Sequence, residues 1–167
     1  MTRKMITLSL MLCAASGLVS TAQAQDAGTA FHELKSYPGS DLPVATAKDD
    51  AVLRHVPDLE KTAHGYKNVC GNRNRIGVLH FDLGGVLQGA TVTYDPDSCW
   101  GQTGGELTVL DRDNRVVWHN GAVDITVLST TQDGVHDLSF GQPGSTQPVW
   151  RWDGPTHQYK FLRTFHG

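Results

Sequence analysis

This sequence predicts a mostly-β, antiparallel domain that works outside the cytoplasm, and three observations carry that reading. From Tyr66 onward the apolar runs are short, β-branched or aromatic, and bounded by Gly, Asn, Asp and Pro. They recur at intervals of roughly 8–12 residues without β–α alternation, the texture of a sandwich, barrel or propeller-like sheet. Ahead of them stands a leader with the three-part composition of an export signal.

The leader comes first in chain order. Arg3 and Lys4 supply its charge, an apolar stretch runs from Met5 to Ala15, and Ala22-Gln23-Ala24 places small residues where a signal peptidase reads. The apolar stretch is too short, and too interrupted by Ser and Thr, to persist as a membrane anchor. Cleavage is predicted after Ala24. Cys13 leaves with the leader, because bulky Leu12 precedes it where lipidation wants a small residue. Removing 24 of the 167 residues leaves 143, the size of one domain. The loss of Arg3 and Lys4 takes the net charge from −3 to −5. A mildly acidic domain without a basic run argues against nucleic acid or anionic lipid as a partner.

Residues 25–47 are rich in Ala, Gly, Ser, Thr and Pro without a period, and are expected to form an extended arm. A single β-rich domain over 48–167 follows. Its only helical signal lies in 49–64, where Val52, Leu53, Val56 and Leu59 recur at helical spacing and Asp49 or Asp50 offers a cap. Pro57 divides that stretch into two turns. The predicted strands are Gly77–Leu83, Gln88–Tyr94, Glu106–Leu110, Arg115–His119, Ala122–Ser129, Asp137–Phe140, Pro148–Trp152 and Tyr159–Phe165. The Asp111–Asn114 segment reads as a tight turn.

Cys70 and Cys99 remain after cleavage. An even pair in an oxidising compartment reads as a disulfide, since neither lies in a C-x-x-C and no His stands at ligand spacing from them. The bridge pins a Gly-rich loop, 95–105, that carries Trp100. This ring either packs on the disulfide or forms a recognition tip, Trp being favoured at binding hot spots. Trp150 and Trp152 share one strand face by the two-residue period and either fill the core or offer a stacking surface.

Three short motifs go together: Phe81-Asp82-Leu83 before Gly84-Gly85, Asp133-Gly134 followed by Asp137-Leu138, and Trp150-Arg151-Trp152-Asp153-Gly154 followed by Tyr159. Over roughly residues 69–160 they resemble a degenerate FG-GAP unit of the integrin-like β-propeller type, as in small exported bacterial proteins of unassigned function. The resemblance implies a β-rich exported module, some relatives of which bind other proteins. It also implies a calcium loop holding Asp133 and Asp137, but Ser129 and Thr131 stand where its first two carboxylates belong. Two carboxylates make at best a weak site for a cation that takes six to eight oxygens. A plain Asp-Gly turn explains the same residues.

Eight histidines are scattered without H-E-x-x-H or any other compact ligand spacing, and no G-x-S-x-G elbow is present. His80 and Asp82, two apart on one strand, are placed to pair. No catalytic residue is assigned and no cofactor is expected beyond that weak calcium candidate. The expected function is a non-enzymatic secreted or periplasmic binding module, its partner another envelope or secreted protein of the inhibitor or immunity type, with Trp100, Trp150 and Trp152 as contact residues. The alternatives are a weak calcium- or carbohydrate-binding module and a small periplasmic hydrolase.

Overall fold

The computed structural model describes residues 30–141 and 146–166; the expected leader, 1–24, and its expected cleavage position lie outside them. Among the described residues, eleven strands form three antiparallel sheets. The first strand, β1 (Glu33–Pro38), is followed by two short 3-10 turns and one four-residue helix, α1 (Asp50–Leu53). A hairpin of β2 (Leu59–Thr62) and β3 (Gly65–Asn68) comes next. A four-stranded meander follows, of β4 (Gly77–Phe81), β5 (Ala90–Pro96), β6 (Gly105–Leu110) and β7 (Val116–Gly121). The chain ends in β8 (Asp124–Gln132), β9 (Val135–Ser139), β10 (Thr146–Asp153) and β11 (Gln158–His166), which join β1 in a five-stranded sheet ordered β1-β8-β9-β10-β11.

The two larger sheets form a sandwich. Strand alternation sends Ala90, Val92 and Tyr94 of β5, with Leu107 and Val109 of β6, into one core shared with Ile125, Val127, Val135, Leu138 and Trp152 of the facing sheet. Trp118 stacks on Phe140 across this core, with ring centroids 3.6 Å apart. The four-stranded sheet is also covered on its other face. Val52, Leu53 and Val56 pack there on Ile76, Val78 and Leu110, with Leu59 and Tyr66 of the hairpin closing over them. That sheet is therefore a middle layer, and its outward residues Thr91, Thr93, Asp95 and Thr108 are buried although polar. The Cys70–Cys99 disulfide ties the loop after β3 to the loop after β5.

Two expectations need correction. Residues 33–38 are not a free arm but strand β1, paired with β8 from Glu33↔Leu128 to Pro38↔Asp124. Its edge position leaves most of its side chains accessible, so no apolar period marks it. The 49–64 stretch holds only one helical turn. Thr46 caps the preceding 3-10 turn through a capping box with Asp49, and the chain turns out of α1 before Pro57. Leu59–Thr62 is then half of a hairpin whose Glu60 and Lys61 are exposed and whose Lys67 is half-buried, which hides the alternation.

Candidate functional site

The residues singled out in the sequence do not converge. Trp152 is core, with its ring edge-on to Tyr159. Trp150 is half-buried on the same face, edge-on to Trp118 at 5.7 Å and to Phe161 at 5.9 Å. Its buried indole N–H has no hydrogen-bond partner among the described residues. Trp100, half-buried in the disulfide loop, donates its indole N–H to Asp95 at 3.1 Å. Asp133 occupies the left-handed position (φ 54°) of the β8–β9 turn and is exposed. Asp137 is fully buried. Its Oδ1 accepts from Arg151 Nε at 3.0 Å, and its Oδ2 from Arg151 Nη2 at 2.7 Å and Thr130 Oγ1 at 2.5 Å. The Gly84-Gly85 and Asp133-Gly134 turns do meet: His136 N–H donates to Leu83 O, and a Cβ on Gly84 would lie 2.3 Å from Gly134 O. Glycine at 84 (φ 79°) is thus required by close approach as well as by conformation.

His80 pairs not with Asp82 but with groups across the sheet and its cover. Its Nδ1 meets Thr91 Oγ1 at 2.8 Å and its Nε2 meets Asp49 Oδ1 at 3.2 Å, while Asp82 accepts from Gly84 N–H. The same arrangement recurs at the far strand. His119 Nδ1 meets Thr108 Oγ1 at 2.8 Å, and its Nε2 lies 3.4 Å from Asp58 Oδ2 and 3.1 Å from Glu106 Oε1. Both are hydroxyl–imidazole–carboxylate chains, yet Thr91 and Thr108 are buried beneath the cover, out of a substrate's reach.

Among the described residues, Asp58, Glu106 and His119 bring their side-chain ligand atoms within 4.8 Å of one another, and register explains it. Thr108 pairs with His119 and Glu106 with Gly121, so Glu106 and His119 are diagonal neighbours on the covered face. Asp58 enters from above, where the chain turns into β2 in a left-handed conformation (φ 62°). Burial, with Asp58 and Asp95 as like-charged neighbours, pushes the Glu106 carboxyl up to about 7. Beside it, Asp97 is held well below the usual carboxylate range by the Cys99 N–H and the amides of Asn74, Asn68 and Asn72. Two of those amides also hold Asp95: Asn68 Nδ2 donates to both carboxylates and Asn74 Nδ2 reaches Asp95 at 2.7 Å. No local motif announces this cluster, because 58, 106 and 119 meet only through sheet register and the hairpin cover.

A second feature is the cleft between edge strands β7 and β11. It has a volume of about 350 Å³, and Trp118, His119, Trp150 and Tyr159 line it. Beyond it, Phe161 (56% exposed) and Leu162 (38%) stand on β11. No helix among the described residues is long and apolar enough to cross a membrane. Comparison with known proteins brings no matching family model, curated protein or solved structure.

Proposed function

We propose that this chain is an exported, non-enzymatic binding module whose partner is another secreted or envelope protein, of the inhibitor or immunity type. The observation that supports it best is the outer strand β11. Among the described residues it pairs only with β10, and it carries adjacent exposed Phe161 and Leu162 beside the Trp150-lined cleft. An edge strand with apolar side chains is a place where another chain can add. The disulfide fits an oxidising compartment. In this reading Phe161, backed by Trp150, replaces the three tryptophans as the contact centre, because Trp152 is buried and Trp100 is tied to Asp95.

The test is site-specific photo-crosslinking in the native envelope. A photoreactive phenylalanine analogue replaces Phe161 in one variant and the equally exposed Val86 in a control. One discrete partner captured at 161 and not at 86 supports the reading. Equal capture at both sites, or none, removes it.

A further inference from the structure

We propose that Asp58, Glu106 and His119 form a binding site for a divalent transition metal of the zinc class, with water completing the shell. Their three ligand atoms all lie within 4.8 Å of one another. The two separations from His119 Nε2, 3.1 and 3.4 Å, match the roughly 3.3 Å between vertices of a tetrahedron with metal–ligand bonds of about 2.0–2.1 Å. One imidazole nitrogen with two carboxylates is a borderline donor set that suits Zn²⁺ and its neighbours rather than Ca²⁺ or Mg²⁺.

Three further features support the site. The imidazole is held from behind by Thr108 Oγ1 on Nδ1, the outer-shell contact that orients ligating histidines. No Lys or Arg forms an ion pair with Asp58 or Glu106 among the described residues, and buried Asp95 adds a further carboxylate below, so the two acids converge on the His119 imidazole alone. Glu106 is 12% accessible, His119 22% and Asp58 44%, so the cluster is shielded below and open above, where a metal and its water can enter.

The chain carries its own control. His80 sits on the same face of β4 with the same backing, Thr91 on Nδ1, and one carboxylate, Asp49, on Nε2. What it lacks is the second carboxylate that Glu106 supplies at His119. A His–carboxylate fastening is thus built at both edges of the sheet, and only one carries the surplus acid of a ligand set.

Mature protein stripped with a chelator and dialysed would be titrated with Zn²⁺ alone, followed by calorimetry and thermal melting, with Ca²⁺ and Mg²⁺ in separate arms. Co²⁺ would be added for its visible absorption. The expected result is one Zn²⁺ per chain, a rise in melting temperature, a tetrahedral-type Co²⁺ band, and no response to Ca²⁺ or Mg²⁺. His119→Ala and the near-isosteric Glu106→Gln should each weaken Zn²⁺ binding at least about tenfold, and Thr108→Val by about 10–100-fold. His80→Ala should leave it unchanged. Far-ultraviolet circular dichroism confirms that each variant folds, and Glu106→Gln keeps the test valid if His119→Ala does not. No Zn²⁺ binding, binding indifferent to His119 and Glu106, equal loss in His80→Ala, or a preference for Ca²⁺ would each overturn the proposal. None of these readouts depends on a protein partner.

Discussion

Arg151 and Asp137 fasten β10 to β9 through a carboxylate with no solvent exposure. Replacing Arg151 with Met keeps most of the side chain's volume and removes two donors at 3.0 and 2.7 Å, leaving Asp137 with Thr130 alone. Stranding one member of a buried pair costs about 3–5 kcal/mol. Arg151 is itself 32% accessible, so water entering from its side softens the loss to about 2–4 kcal/mol. For a domain of this size that is a melting-temperature fall of about 10 °C. Urea unfolding at pH 7, followed by tryptophan fluorescence and circular dichroism, measures it. The double variant Arg151→Met, Asp137→Leu should be more stable than Arg151→Met, because the stranded charge is gone. An Arg151→Met variant within about 1 kcal/mol of the parent, or a double variant no better than the single, would refute the reasoning. Because both Asp137 oxygens are engaged, millimolar calcium should leave the parent's melting temperature unmoved. A calcium-induced rise lost in Asp137→Ala would contradict this.

Other expectations follow from the same geometry. Asp124 has its carboxyl pushed up by burial and by Glu33, partly offset by the Gly141 N–H at 2.7 Å. A raised acid resists ionisation in the fold, so its contribution is fully present below the ordinary carboxylate value and is lost as pH rises through the folded one. Between pH 4 and 7.5 the parent should therefore lose more stability than Asp124→Asn, which keeps the acceptor for Gly141; an equal or steeper loss in the variant sinks this account. Replacing both Cys70 and Cys99 with Ser, 29 positions apart, should cost about 3.5 kcal/mol in urea unfolding, and a change below about 1 kcal/mol would show that the bridge constrains little. Gly105→Ala would set a Cβ 2.2 Å from the Tyr94 ring, so it should cost about 2–3 kcal/mol, with part regained in the additional Tyr94→Leu variant. A neutral Gly105→Ala would mean that Tyr94 moves freely.

The sheets were legible where one face of a strand is apolar and the other polar. Val92 and Tyr94, or Leu107 and Val109, alternate with Thr93 or Thr108, and those strands fall where the period puts them. Edge and cover elements were not legible for the opposite reason. β1 and the β2–β3 hairpin bury little of one side, so Lys35, Glu60 and Lys67 dominate their pattern. For the tryptophans, spacing gives a shared face but not which side that face takes. Trp150 and Trp152 do share one, and it points inward. The cysteine pair was readable from its parity, the export signal and the lack of a C-x-x-C or histidine ligand spacing.

The His119 cluster was beyond reach for a more general physical reason. A sequence displays ligand spacing only when donors share one helix, strand or turn, as in H-E-x-x-H. Here the donors come from a cover turn and two neighbouring strands, and what brings them together is the register Thr108↔His119. That register also explains why polar residues survive in a middle layer. Thr91, Thr93 and Thr108 tile the covered face, and two of them hold a histidine ring by Nδ1, so each ring's Nε2 is directed at the cover rather than left to rotate. At β4 the cover answers with one carboxylate, and the pair closes as a fastening. At β7 it answers with Asp58 while β6 adds Glu106, so one imidazole faces two acids with Asp95 behind them. Two acids converging on one half-buried imidazole disfavour each other's ionisation unless something positive joins them. Asymmetry between two otherwise matched positions, rather than any single residue type, is what sets the β7 edge apart from the β4 edge.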